Sequence, residues 1–288
     1  MEVFVISSFN DLNVFKRYNF SSDIQSELSM DSISAISLSH TSRGALCKWT
    51  ALIDGELCYI KTGKLSYGKF SSLEPISEYI AYRIGELLDI DVIETMYCDV
   101  SLKDTSNFKS QDIIISYTKN FLEHDEVFYS IYKLEGDNVT YNDLVYKYSE
   151  FTEDLNKMIV FDFIINNTDR HLNNFGFIMD SNTMDIKRFC TIFDNGSSLL
   201  SDLDDNQLIE LDFKDIDDYS SCKPFSRNHY SQLSLVKSLP KINLDFDRED
   251  VESIVREFSF DLSKSRITKI ENLICRRLNY VRSLYSKV

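Results

Sequence analysis

The periodicity of the apolar side chains changes near residues 118–122, and this change constrains the fold more than any other feature of the chain. Before it, short alternating apolar runs predict strands, and Asp54-Gly55 between Trp49–Ile53 and Leu57–Lys61 is typical of a hairpin turn. After it, apolar residues recur every three or four positions, which predicts helices. The sequence therefore predicts an α+β fold of two lobes with a cleft between them, a strand-rich N-lobe at 1–118 and a helical C-lobe at 119–288.

Several elements within these lobes have clear patterns. Residues 76–90 carry a helical apolar stripe, residues 92–100 and 112–117 read as strands, and the pattern is helical from about 122 onward. Ile178 and Ile192 are placed on short strands around a turn at 180–182. The chain ends in an amphipathic helix whose apolar face comprises Ile267, Ile270, Leu273, Ile274, Leu278, Val281 and Leu284.

The net charge of −15 limits the classes of partner that the chain can bind. Nucleic acid and anionic membranes carry the same sign of charge and would repel it, so neither is expected as a direct partner. No apolar run reaches the roughly 18 residues of a membrane span, and no signal peptide is expected at the N-terminus. The six scattered cysteines favour reduced thiols and a cytoplasmic location over a disulfide framework.

The densest group of polar side chains follows the helical segment that ends near residue 165. Asp169 is followed by Asn174 five positions later, and after a predicted strand, turn and strand the chain reaches Asp194. In phosphoryl transfer, one carboxylate orients the attacking hydroxyl while an amide oxygen and a second carboxylate hold Mg²⁺ on the ATP phosphates. The spacing predicts these catalytic roles for Asp169, Asn174 and Asp194. The alternative is an ordinary polar turn between a helix and a strand.

Lys61 and Glu78 are candidates for holding the phosphates of the nucleotide. Lys61 ends a predicted strand, and Glu78 lies off the apolar stripe of the 76–90 helix. An ion pair between a strand lysine and a helix glutamate positions the lysine in active protein kinases. The alternatives are a surface lysine at a strand end and a glutamate on a solvated helix face.

Further nucleotide contacts are predicted in the loop before Trp49, near the lobe boundary and beside Asp169. Backbone N–H groups around the single glycine of the loop are placed to meet phosphate oxygens. His171 is predicted either to contact phosphate or to brace its own loop. The backbone near residue 118 is predicted to bind adenine. These candidate residues are Arg43, Gly44, Ala45, Lys48, Tyr117, Lys119 and His171.

Residues 202–218 are strongly acidic, and the last helix is rich in lysine and arginine. Three interpretations are open: a solvated acidic loop, a site that recruits a basic partner, or internal pairing of the two segments.

The segment 168–174, Thr-Asp-Arg-His-Leu-Asn-Asn, resembles the D-x-H-x-x-N catalytic loop of HipA-like kinases. It is also similar to the D-R-H-x-x-N loop of phosphatidylinositol 3- and 4-kinases. Gly44 to Lys48 resembles the G-A-x-x-K phosphate loop of the HipA-like family, and Lys61, Glu78 and Asp194 follow in the family's order. The resemblance covers roughly residues 36–240.

This resemblance implies a bilobal kinase fold, Mg²⁺ and ATP as cofactors, and serine/threonine phosphorylation of a protein substrate. It also implies autophosphorylation just before the phosphate loop, at Thr41 or its neighbours Ser39 and Ser42. Some members are toxins with a small antitoxin partner. The family's extra N-terminal subdomain is expected to be absent, because only about 35 residues precede the matched region, and this weakens the expectation of an antitoxin. The Asp-Asn-Gly at 194–196 is closer to the D-x-G of other kinases.

Two other functions compete with a protein kinase. A lipid or small-molecule kinase is favoured by the Asp-Arg-His order and opposed by the negative charge. A nucleotide-binding pseudokinase that acts as an interaction module is opposed by the presence of every expected catalytic residue.

Overall fold

The computed structural model describes residues 4–6, 46–53, 56–67, 69–102, 110–219 and 221–286. The predicted strand at 36–39 lies outside these residues. The same holds for six candidate site residues, namely Ser39, Thr41, Ser42, Arg43, Gly44 and Ala45.

The chain packs into two compact units. The first comprises residues 1–79 and 94–121, and the second comprises residues 80–93 and 122–288.

An antiparallel sheet with one parallel edge strand dominates the first unit. Its strand order is β1-β5-β6-β3-β2, with β4 paired to β3. The strands are β1 Phe4–Ile6, β2 Leu46–Ile53, β3 Glu56–Ser66, β4 Lys69–Phe70, β5 Thr95–Leu102 and β6 Gln111–Lys119. The predicted hairpin is confirmed, since β2 and β3 pair antiparallel from Ile53↔Glu56 outward.

Helix α1, Leu73–Leu88, follows the sheet strands β3 and β4 in the chain. Its start is tied to β6, because the hydroxyl of Ser72 accepts a hydrogen bond from Ile114 N at 2.9 Å. Ile76, Ile80 and Ile84 are all buried, as the apolar stripe predicts.

The second unit is mainly helical and contains a three-stranded sheet of order β7-β8-β9. The strands are β7 Glu126–Ser130, β8 Gly176–Asp180 and β9 Ile186–Phe189. The helices are α2 Ile131–Glu135, α3 Tyr141–Lys147, α4 Thr152–Ile165, α5 Asp205–Glu210, α6 Phe213–Tyr219, α7 His229–Leu233, α8 Arg248–Arg256 and α9 Lys264–Tyr285, with a 3₁₀ turn at Ser149–Phe151.

Helix α4 forms the centre of this unit. All its residues from Leu155 to Ile165 are buried except Lys157, as expected for a helix that is covered on every side. The one carboxylate among its buried residues is Asp162, which is 1% exposed. The helix ends at Asn166, whose left-handed backbone (φ 56°, ψ 49°) turns the chain into the following loop.

The expectation of continuous helical structure from residue 122 is wrong at β7. Glu126–Ser130 pairs antiparallel with β8, so tertiary pairing stabilises a strand where the local pattern is ambiguous. Ile192 also lies outside the short strands and instead forms an isolated parallel bridge with Val92.

Helix α9 confirms the predicted C-terminal helix and pairs with the acidic segment 202–218. Arg266 contacts Asp205 at 2.7 Å, and Arg277 contacts Asp217 at 3.1 Å. Arg276 also binds Asp217. Internal pairing therefore accounts for part of the charge in both segments.

No helix in the described part of the chain is both long enough and apolar enough to cross a membrane. The cysteines whose side chains are described are free thiols, namely Cys58, Cys98, Cys190, Cys222 and Cys275.

Candidate active site

Lys61 and Glu78 form an ion pair within the first unit. Lys61 Nζ lies 2.6 Å from Glu78 Oε1, and the side chains are 15% and 3% exposed. Because β3 buries Cys58 and Ile60, Lys61 lies on the other face of the strand. The alternative of a solvated glutamate is wrong, since Glu78 is buried although it lies off the apolar stripe.

The other predicted residues of the first unit that the structure describes lie within its sheet. Lys48 in β2 is the register partner of Lys61 in β3. Tyr117 in β6 lies between Ile60 of β3 and Met96 of β5, and Lys119 is opposite Cys58. A nucleotide role for these three residues remains a prediction.

The loop that carries Asp169 is shaped by short-range hydrogen bonds. Asp169 N donates to Asn167 Oδ1 at 3.0 Å, His171 N donates to Asp169 O at 2.8 Å, and Asn174 N donates to His171 O at 2.8 Å. Asn173 N donates to His171 Nδ1 at 3.3 Å. His171 therefore braces its own loop, one of the two roles expected for it.

The guanidinium of Arg170 connects this loop to helix α4 and to the Asp194 segment. It is fully buried and ion-paired with Asp162, with Nη2 2.9 Å from Oδ1 and Nε 3.0 Å from Oδ2. Its Nη2 also donates to Asn195 Oδ1 at 2.5 Å, and its Nη1 donates to the backbone carbonyl of Phe193. The same Nη1 donates to the carbonyl of Asn174 at 3.4 Å.

These contacts bring the two predicted metal ligands into one neighbourhood. One guanidinium binds the backbone of Asn174 and of Phe193, which directly precedes Asp194. A second link joins the same segments, because Thr168 N donates to Ser197 O at 2.9 Å. Asp194 has a left-handed backbone with φ 60°, so its side chain leaves the chain in a direction that a regular strand would not allow.

The oxygen donors at these positions suit Mg²⁺. Asn174 Nδ2 donates to the carbonyl of Asp169 at 3.3 Å, which leaves the amide Oδ1 on the opposite side of that side chain. Within the described residues, no group of three or more His, Cys, Asp or Glu side chains is arranged to hold a metal. Mg²⁺ commonly takes one or two protein ligands and completes its shell with phosphate and water, so the Asn174–Asp194 pair fits it.

Burial and charge act together on the ionisable groups of this site. Burial lowers the pKa of His171 below its usual range, and the negative charges of Asp169 and Asp194 oppose that shift. Burial raises the pKa of Asp162, while Arg170 and Asn167 oppose the rise. Burial alone would lower the pKa of Arg170, but the charge of Asp162 raises it.

Lys223 also reaches this site, although no pattern in the sequence singles it out. Its Nζ lies 2.6 Å from Asp169 Oδ1, and the two residues are 54 positions apart in the chain. Asp162 was detectable, because it interrupts a long apolar run eight residues before Arg170. Nothing in the sequence singles out Asn195, and only its contact with Arg170 in the structure identifies it.

No protein-family model and no curated protein matches this sequence. The chain is similar in structure to the crystal structure of the Helicobacter pylori proinflammatory kinase CtkA, with a TM-score of 0.64 and 19% identity. That similarity covers 84% of this chain and 95% of the other. It confirms the predicted α+β kinase-like fold.

A second solved structure contains HipA with HipB and operator DNA from Shewanella oneidensis MR-1. Its TM-score is 0.42 and its identity is 13%, over 79% of this chain and 60% of that chain. A likeness this low carries no conclusion about a toxin role or a DNA-bound partner.

Proposed function

We propose that this chain is a cytoplasmic, Mg²⁺- and ATP-dependent protein kinase that phosphorylates serine or threonine. The observation that supports this function best is the convergence of Asp169, Asn174 and Asp194 around the buried Arg170. A kinase-like fold alone would not identify an active enzyme, whereas this arrangement supplies the oxygen ligands and the base that phosphoryl transfer requires.

Asp169 acts as the base in this proposal. Its carboxylate accepts the proton of the substrate hydroxyl while that oxygen forms its bond to the γ-phosphorus. The bond from the γ-phosphorus to the bridging oxygen breaks, and its electron pair leaves with the nucleoside diphosphate. Asn174 and Asp194 hold Mg²⁺, which when bound neutralises charge on the phosphates.

Lys61 is proposed to hold the phosphates of the nucleotide. Glu78 keeps the ammonium in place through the 2.6 Å ion pair, as a strand lysine and a helix glutamate do in active kinases. Tyr117 and Lys119 are proposed to contact the adenine, and Lys48 with Arg43, Gly44 and Ala45 to contact phosphate.

The test is incubation of the purified protein with Mg²⁺ and ATP, followed by intact mass measurement and peptide mapping. We expect wild type to gain a phosphoryl group on Thr41, Ser39 or Ser42. Asp169→Ala and Asp194→Ala should each lower the rate by about 100-fold or more. Asp185→Ala removes an exposed aspartate in the β8–β9 turn and should leave the rate unchanged.

Two results would contradict this function. Equal phosphate incorporation by wild type and Asp169→Ala would remove Asp169 from the reaction. Nucleotide binding with no transfer to the chain itself or to added protein substrates would favour the pseudokinase instead.

A further inference from the structure

We propose that Lys223 belongs to the active site and contacts the terminal phosphate of the bound nucleotide. This inference rests on the proposed function, because it assigns a partner to Lys223 within the same reaction. Lys223 Nζ lies 2.6 Å from Oδ1 of Asp169, the proposed base.

The backbone of Lys223 is fixed beside the catalytic loop. The buried side chain of Gln232 makes two hydrogen bonds to the backbone here, since Gln232 Nε2 donates to Lys223 O at 2.9 Å and Gln232 Oε1 accepts from Phe225 N at 3.0 Å. Ser221 Oγ donates to the carbonyl of Thr168 at 3.4 Å, and Phe225 packs edge-on against Phe175. The Cα of Lys223 therefore has a defined position relative to Asp169.

The side chain of Lys223, in contrast, is able to change partners. It is 50% exposed, and Asp169 is 29% exposed, so water screens their ion pair and the pair contributes little to stability. The long stem of lysine lets the ammonium move several ångströms at small cost. An anion of higher charge than a single carboxylate is the partner that such an ammonium prefers.

The position of Asp169 identifies that anion. A base lies within about 3 Å of the hydroxyl it deprotonates, and the hydroxyl lies within about 3.5 Å of the phosphorus it attacks. A cation that already reaches Asp169 Oδ1 is therefore next to the terminal phosphate, where negative charge spreads over the oxygens during transfer. Arg170 cannot supply this charge, because it is fully buried and bound to Asp162 and Asn195.

The experiment measures nucleotide binding by calorimetry, with Mg²⁺ and either a non-hydrolysable ATP analogue or ADP as the probe. Lys223→Ala should bind the analogue about tenfold more weakly than wild type, because it loses a hydrogen bond between two charged groups. It should bind ADP with unchanged affinity, and its melting temperature should match that of wild type. Lys223→Arg keeps the charge and should bind the analogue more tightly than Lys223→Ala.

Lys187→Ala is the matched control. Lys187 forms a 2.8 Å ion pair with Asp125, and both side chains are partly exposed, so this variant also removes a surface pair of the same kind. It should leave the binding of both nucleotides unchanged.

The outcomes separate the two proposals. If wild type binds both nucleotides and Lys223→Ala weakens neither, or weakens both equally, the role of Lys223 is overturned, and the kinase assignment is decided by the phosphate-incorporation assay alone. If wild type binds neither nucleotide, the kinase assignment fails and takes the role of Lys223 with it.

Discussion

Replacing Arg170 by methionine tests the central structural claim about the site. Arg170 is fully buried, and its guanidinium neutralises Asp162, which is 1% exposed. Methionine fills a similar volume without charge, so the variant leaves Asp162 as a buried carboxylate with no cation beside it. Removing one partner of a buried ion pair costs about 3–5 kcal/mol.

The ordinary pKa of an aspartate gives a second value for this cost. A buried, unpaired carboxylate lowers its energy by taking up a proton, and the ordinary pKa of Asp162 is 3.8. Protonation at pH 7 then costs about 4 kcal/mol, at about 1.36 kcal/mol per pKa unit. The lost hydrogen bonds to Asn195, Phe193 and Asn174 add about 1 kcal/mol or more. The total is a large share of the roughly 5–15 kcal/mol that stabilises a typical domain.

The pH dependence distinguishes this explanation from a simple packing defect. In Arg170→Met the folded state holds a proton on Asp162 that the unfolded state releases above pH 3.8, so the folded form gains stability as the pH falls. The deficit relative to wild type should shrink between pH 7 and pH 5 by at most about 3 kcal/mol, because burial raises the pKa of Asp162 in wild type too and part of the proton uptake is common to both proteins.

Urea denaturation of wild type and Arg170→Met at both pH values is the assay. Asp162→Asn/Arg170→Met removes both charges and should recover part of the loss at pH 7. Arg83→Met is the matched control, because Arg83 pairs with Glu257 at 3.0 Å and both side chains are 34% exposed, and it should cost less than about 1 kcal/mol. A deficit below about 1 kcal/mol for Arg170→Met at pH 7, or one that does not change with pH, would refute the reasoning.

Two further predictions concern stability. Burial lowers the pKa of His229 from 6.5 to about 3 in the folded state. Between pH 6.5 and pH 3 the unfolded state therefore binds a proton that the folded state does not. The stability of the folded state falls as the pH drops through this range. In urea denaturation, His229 should contribute about 2 kcal/mol to the loss of stability of wild type between pH 7.5 and pH 5. His229→Gln should lose less stability over this range, whatever its free energy of unfolding at about pH 7.5. Gly176→Ala places a Cβ 2.1 Å from the carbonyl oxygen of Tyr129 in the neighbouring strand, which should cost about 2–3 kcal/mol in a thermal melt. Gly136→Ala places its Cβ in open space but strains a backbone with φ 76° and ψ −165°, a region that almost only glycine occupies, so a cost of about 1–3 kcal/mol is expected there. A loss below about 1 kcal/mol for Gly176→Ala would contradict the clash.

The sequence by itself determined the features that depend on local pattern. Alternation and three-to-four periodicity predicted the β2–β3 hairpin, helix α1 and helix α9, because a side chain's face follows directly from its position in a strand or helix. The five-residue spacing of Asp169 and Asn174 also defines a local loop. These features can be predicted from neighbouring residues alone, without knowing which distant segments contact each other.

Only the tertiary structure decided which distant groups pair. Strand β7 exists because it pairs with β8, some fifty residues later in the chain, which its own sequence does not reveal. Lys223 resembles any other surface lysine until Gln232 fixes its backbone beside Asp169. Arg170 links two segments only because the folded chain brings the carbonyl of Phe193, 23 positions later, within hydrogen-bond reach of its guanidinium. Such pairings depend on chain closure and shared burial, and both are properties of the whole fold.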